Sequence, residues 1–254
     1  MSILTESDGA IARIQIARPA RKNAITADMY AALSQALTAA ETDDSVRVIL
    51  LHGQPDVFSA GNDLEDFLRA PPQQADAPVF RFMAALSGAA KPVVAAVNGA
   101  AVGIGTTLLL HCDLVYCADD SRFSLPFVNL GLCPEFASSL LLPLAAGYHR
   151  AAEKLLLGDP ASAEEALELG LVNRILPPAE VLGHAQRQCA RLAQLPPVAL
   201  RETKRLLKDG WRGATQRAIA EESAVFGRLL GSAEAREAFS AFMERRAPDF
   251  SKFH

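Results

Sequence analysis

Short apolar runs separated by helical segments limit what this chain can fold into more than any other feature of it. Residues 46–51 are mostly apolar and β-branched, the mark of a strand buried in a core, and residues 93–97 and 114–117 predict further strands. Residues 11–17 alternate with period two and predict a half-exposed strand. Between them Thr26 is placed to cap a helix to about Ala40, with Met29, Leu33 and Leu37 on one stripe. A strand that leaves a sheet through a helix and returns lies parallel to its neighbour. The alternation therefore predicts a layered α/β core with parallel pairings. Residues 58–61 read as a turn before a short helix over 63–68, and residues 70–78 as a mobile surface loop. A helix to about Ser87, a very apolar helix over 106–111 and a short strand over 123–126 follow; beyond Glu135 the pattern is helical apart from 171–175. Pro196-Pro197 reads as a hinge, dividing a core of residues 1–195 from a helical region of residues 196–254. Amphipathic helices are expected there over 198–207, 214–230 and 233–246, suited to packing on the core or on a neighbouring subunit.

The chain has 254 residues, 50% of them hydrophobic and 21% charged, enough for a sizeable core and too apolar for global disorder. A formal net charge of −4 argues against broad nucleic-acid or membrane binding, while leaving room for a local basic cluster facing a phosphorylated ligand. Cys112, Cys117, Cys133 and Cys189 form no CxxC pair and have no histidine at metal spacing. They read as reduced thiols, with no metal site. No basic and apolar leader opens the sequence, and the apolar stretch over 93–110 is interrupted by Asn98 and glycines, so the expected location is the cytoplasm.

Two glycine-bearing segments could carry chemistry. Ala60-Gly61-Asn62-Asp63-Leu64 and Asn98-Gly99-Ala100-Ala101-Val102-Gly103-Ile104-Gly105 each lead from a strand or turn into a helix, where backbone N–H groups lack helical partners. The second partly matches a dinucleotide fingerprint, but Leu108 stands where the third glycine belongs and Asp119 is too near to serve a ribose. A pair of such turns suits an oxyanion hole, whose donors must be fixed before charge develops. Each turn taken singly is explained as well by glycine's tolerance of positive φ. Glu135 is the one acid placed where such a site needs it. Phe127, Leu132 and Phe136 around it would raise its pKa toward that of a useful base. The structural alternative is an acid in the first turn of the following helix, favoured by the helix dipole. A lone carboxylate facing two amide donors suits proton transfer beside a carbonyl.

Four segments carry a resemblance. Arg18-Pro19-Ala20-Arg21-Lys22-Asn23-Ala24-Ile25, Phe58-Ser59-Ala60-Gly61-Asn62-Asp63-Leu64, Lys91-Pro92-Val93-Val94-Ala95-Ala96-Val97-Asn98-Gly99 and Leu169-Gly170-Leu171-Val172-Asn173 are similar to the crotonase (enoyl-CoA hydratase/isomerase) superfamily, over nearly the whole chain. The resemblance implies a spiral of ββα turns with a C-terminal helical region, assembled as a homotrimer or dimer of trimers. It implies an acyl-CoA thioester substrate whose enolate-like oxygen is held by the N–H groups of Asn62 and Ile104. It places the coenzyme A contacts at Arg21, Lys22, Ala24, Ala60, Asp63 and Leu64, with coenzyme A as part of the substrate and no separate cofactor. For Arg21 and Lys22 the alternative is a solvated turn. Asp63 also reads as the cap of its helix, and Leu108, Leu109 and Leu110 as core more than acyl pocket.

The chain departs from the hydratase members at both acids. Thr107 and Phe127 stand at the two positions where those members carry glutamate. Pro126-Phe127-Val128-Asn129-Leu130-Gly131-Leu132-Cys133-Pro134-Glu135 resembles instead the Δ3,Δ2-enoyl-CoA isomerase branch, in which a glutamate eight positions beyond the second hydratase acid is the sole base. The expectation is an isomerase that moves the double bond of 3-enoyl-CoA. The alternatives are a hydratase or hydrolase using one glutamate, or a non-catalytic acyl-CoA binding subunit.

Overall fold

The computed structural model describes residues 2–69 and 76–253, so residues 70–75 of the expected surface loop lie outside the described residues. β1 (Ile3–Asp8) and β2 (Ile11–Ile16) pair antiparallel at one edge of the main sheet, and α1 (Ala27–Thr42) leads to β3 (Val48–His52). β4 (Val57–Ser59) starts a second sheet and is followed by α2 (Leu64–Arg69) and α3 (Pro78–Gly88). β5 (Val93–Val97) returns to the main sheet and β6 (Ala100–Val102) to the second, before the single turn α4 (Ile104–Thr107) and a 3-10 turn over Leu108–His111. β7 (Leu114–Ala118) and β8 (Arg122–Ser124) repeat the division. Then come α5 (Ser138–Ala146), α6 (Tyr148–Leu157), α7 (Ala163–Glu168), β9 (Arg174–Leu176), α8 (Pro178–Ala193), α9 (Pro197–Leu230) and α10 (Ala233–Glu244).

The main sheet has the order β1-β2-β3-β5-β7-β9 and is parallel from β2 onward; the second is β4-β6-β8, also parallel. The chain thus repeatedly gives one strand to each sheet, which is the ββα spiral with its C-terminal helices. Apolar residues on both faces of the central strands explain the layering. Ile49, Leu51, Val93 and Ala95 pack with Leu33 and Leu37 of α1 and Phe82 of α3, while Val48, Leu50, Val94 and Ala96 pack with Val181, Ala185 and Cys189 of α8. Thr26 caps α1 by accepting the Met29 N–H at 3.3 Å, and Met29, Leu33 and Leu37 are its buried stripe.

Several local expectations are corrected. Residues 57–59 are a strand, not part of a turn, and residues 100–102 another; both are too short for a periodic pattern and exist because they pair with each other. β1 has an exposed, polar outer run and no apolar pattern to announce it. Leu171 and Val172 are core residues ahead of the last strand, which begins at Arg174. The apolar segment after Gly103 is one α turn and one 3-10 turn in place of a single helix over 106–111.

The two helices expected over 198–207 and 214–230 are one helix of 34 residues. Gly210 and Gly213 face solvent, where each costs only about 1 kcal/mol relative to alanine. Anchors on both sides outweigh them. Lys204 reaches Asp113 and the Lys91 carbonyl, each at 2.7 Å; Lys208 reaches the His111 carbonyl at 2.8 Å; Glu222 and Phe226 are buried further along. Among the described residues no helix is long and apolar enough to cross a membrane.

Candidate active site

A cleft of about 530 Å³ opens where the chain leaves β4, β6 and β8. Its walls are the turn Ala60 to Leu64, then Val102 and Gly103, then Pro126 and Phe127, with Phe226 of α9 and Phe239, Phe242 and Met243 of α10 opposite. The two glycine turns abut each other in its wall. A Cβ on Gly61 would lie 2.7 Å from the Val102 carbonyl oxygen and 3.9 Å from the Gly103 nitrogen, so only glycine permits this approach.

Pairing leaves one amide free in each turn. Ile25 donates to the Gly61 carbonyl at 2.8 Å and accepts from the Asp63 N–H at 2.9 Å, as in a parallel ladder, so the Asn62 N–H between them points the other way. Gly103, at φ 54 and ψ −120, donates to the Ser124 carbonyl at 2.9 Å and accepts from Thr106 and Thr107, which makes Ile104 the first helical residue. Among the described residues neither the Asn62 nor the Ile104 N–H has a protein acceptor. Asn23 secures the first turn. Its buried side-chain amide donates to the carbonyls of Ile16, Val57 and Phe58, and its own carbonyl accepts the Ser59 hydroxyl, which in turn accepts the Gly61 N–H. Tyr30, buried on α1, donates its hydroxyl to Asn62 Oδ1 at 2.5 Å.

Glu135 is 6% exposed, and its Oε1 is buried with no hydrogen-bond partner among the described residues. Burial raises its carboxyl from the ordinary 4.5 to about 8, and the negative charge of Glu222 adds to the rise. It is not a first-turn residue, because α5 begins only at Ser138. Between them Phe136 and Ala137 both sit at φ 57, a left-handed corner built without glycine. Such residues cost about 1 kcal/mol or more each and persist only where surroundings hold them. Here the His111 ring stacks on Phe136 with centroids 3.8 Å apart, and its Nε2 lies 2.8 Å from the Phe136 carbonyl oxygen. Since a carbonyl only accepts, that nitrogen is the donor; burial holds His111 neutral, its pKa lowered to about 3.

The two positions where the resemblance to hydratases would call for glutamate, and the sequence has none, are Thr107 and Phe127. Thr107 is fully buried with its hydroxyl unpaired among the described residues, and the Phe127 ring reaches within 4.0 Å of where a Cβ on Gly103 would sit.

Of the residues assigned to coenzyme A, Arg21, Ala24, Ala60, Asp63 and Leu64 line the cleft together with Asn62; Lys22, Ile104 and Glu135 are not among its walls. Asp63 caps its helix through the Asp66 N–H at 3.1 Å and pairs with Arg18 at 2.6 Å, so its carboxylate is already engaged. Arg21 is exposed and lies 3.4 Å from Glu65. Lys22 is exposed at φ 48, and its carbonyl accepts the Ala60 N–H at 3.0 Å. Sequence reasoning assigned no role to Asn23, Tyr30 or Glu222. Asn23 was visible within a quoted motif. Tyr30 reads as one more residue of an amphipathic stripe, and Glu222 has no local signal at all.

The enoyl-CoA hydratase/isomerase family profile matches residues 6–252. The chain belongs to that family. Within the enoyl-CoA hydratase/isomerase family it is 37% identical to human enoyl-CoA delta isomerase 2 over 96% of its own length, and spans 64% of the length of that relative. It is 33% identical to 2,3-dehydroadipyl-CoA hydratase of Escherichia coli, with 92% of each chain covered. Among solved structures, enoyl-CoA hydratase/isomerase from Pseudoalteromonas atlantica superimposes with a TM-score of 0.94 at 39% identity, covering 98% of this chain and 100% of the other. Pseudomonas aeruginosa OdaA superimposes with the same score at 48% identity, covering 96% and 99%.

Proposed function

We propose that this family member is an enoyl-CoA isomerase, moving the double bond of a 3-enoyl-CoA thioester to the 2-position. The thioester lies in the cleft with its carbonyl oxygen between the Asn62 and Ile104 N–H groups. Glu135 takes a proton from C2; the electron pair spreads into a dienolate whose oxygen the two amides hold; Glu135 returns the proton at C4. One carboxylate both removes and delivers the proton, so nothing else is consumed. Each amide contributes about 3–4 kcal/mol to the dienolate if it acts like other oxyanion donors. A carboxyl at about 8 is a stronger base than an exposed glutamate and suits a weakly acidic C–H.

The observation that carries this reading is Glu135 itself: a buried carboxyl whose Oε1 has no partner among the described residues, in a chain that leaves one amide free in each glycine turn and has threonine and phenylalanine at the other two acid positions. The test is product analysis with 3-enoyl-CoA and 2-enoyl-CoA side by side. The expected result is 2-enoyl-CoA from the first and no 3-hydroxyacyl-CoA from the second. The unpaired Thr107 hydroxyl favours one other reading, hydration or hydrolysis, because it could hold a water near the site. Formation of 3-hydroxyacyl-CoA or free coenzyme A as the main product would establish that reading instead. A protein that binds the thioester but exchanges no C2 proton with heavy water would be a binding subunit.

A further inference from the structure

Glu222 is a buried acid that the proposed chemistry does not use. It lies on α9, 85 positions beyond the residue it meets, and its carboxylate is aimed at the chain just after Glu135. Oε2 accepts the Ala137 N–H at 2.5 Å, and Oε1 accepts the Ser139 N–H at 2.9 Å and the Ser139 hydroxyl. Ala137 is the N-cap of α5 and has no side chain that could serve its helix, so Glu222 supplies the cap from another element. The Glu135 carbonyl is held at the same time by the Ser138 N–H at 3.1 Å and the Ser138 hydroxyl at 2.7 Å. The polar groups that tie down the Glu135 corner therefore come from α5, from His111 and from α9.

We propose that Glu222 is the positioning residue of Glu135: its carboxylate locks the left-handed Phe136-Ala137 corner and so fixes where the Glu135 carboxyl points. The long C-terminal helix is then part of the active-site framework and not only an outer layer. Both carboxyls are lifted above the usual range by burial; the charge of Glu222 raises Glu135 further, while the hydrogen bonds Glu222 accepts from Ser139 and Ala137 partly offset its own rise. The other titratable groups facing this pair are Tyr30 from α1 and Cys133 from the preceding loop, both raised chiefly by burial; Arg228 acts on Cys133. The inference rests on the reading of Glu135 as the base.

The experiment compares Glu222→Gln and Glu222→Asp with the parent protein in kcat, KM and the pH dependence of 3-enoyl-CoA turnover. Titration of the Glu135 carboxyl by difference infrared spectroscopy gives a readout that needs no turnover. Glu222→Gln removes the like charge, so the Glu135 titration and the acid limb of the rate profile move to lower pH. Glu222→Asp keeps the charge but is too short to reach both N–H groups, so kcat falls about ten-fold or more with KM little changed, and the limb stays near its original pH. A cap with no catalytic consequence would lower thermal stability and leave the limb and kcat of the folded variants unchanged; that result would overturn the proposal. If the infrared titration shifts in Glu222→Gln while Glu135→Gln retains full turnover, the positional coupling stands and the assignment of Glu135 as base falls.

Discussion

Replacing Glu135 by glutamine should make the protein's stability less dependent on pH, by an amount the structure sets. The folded state raises this carboxyl from 4.5 to about 8, so between those values the native protein holds a proton that the unfolded chain releases. The stabilisation is complete below the unfolded value and is lost as pH rises through the folded one. Each pH unit across that interval is worth about 1.4 kcal/mol. Integrated from about pH 5.5 to about pH 9, with the curve flattening above the folded value, the Glu135 contribution is a loss of about 3 kcal/mol. Glutamine keeps the shape and carries no titrating proton, so the variant should lack that loss; the contribution of Glu222, whose carboxyl is also raised, is present in both proteins and largely cancels. Urea unfolding of parent and variant at the two pH values measures it directly. Parallel stability curves would refute the reasoning, since they would mean that Glu135 is hydrated or paired in solution. The same variant should bind the thioester and fail to turn it over.

Three further outcomes follow from the geometry. Gly103→Ala places a Cβ on φ 54 and ψ −120 with only the Phe127 ring in ordinary contact at 4.0 Å, so the penalty is conformational, about 1–3 kcal/mol by denaturant midpoint, accompanied by a fall in kcat as the Ile104 amide is displaced. Tyr30→Phe removes the donor to Asn62 Oδ1 and should lower kcat about ten-fold with thioester affinity nearly unchanged; equal kcat in the two proteins would show that the turn holds without it. Arg21→Ala breaks an exposed pair with Glu65 worth less than about 1 kcal/mol, so thermal unfolding should barely move, while KM for coenzyme A thioesters rises if the guanidinium faces the phosphates; an unchanged KM would leave Arg21 a solvated turn residue.

The parts of this fold that were legible have strong local causes. Residues 46–51 and 93–97 are apolar on both faces, so they announce central strands buried on both sides, and Thr26 with Met29, Leu33 and Leu37 announces a capped amphipathic helix. Short strands such as Val57–Ser59 and Ala100–Val102 were not legible because three residues show no period and owe their shape to each other. The long helix over Pro197–Leu230 was read as two because glycines at its exposed positions outweigh distant anchors in any local reading.

The candidate site divides along the same line. The amino-acid sequence by itself determined which groups are available: two glycine turns able to free an amide each, one acid in an apolar setting, and no acid at positions 107 and 127. It also determined the family, because four ordered motifs survive in a single chain. Only the tertiary structure decided how those groups stand. Burial and a second carboxylate set the proton affinity of Glu135; parallel pairing with Ile25 turned the Asn62 amide away from its neighbours; and Glu222, which nothing local marks, closes on the corner behind Glu135. Desolvation, strand pairing and the meeting of residues 85 positions apart are properties of the packed chain, and they exist only once it has folded.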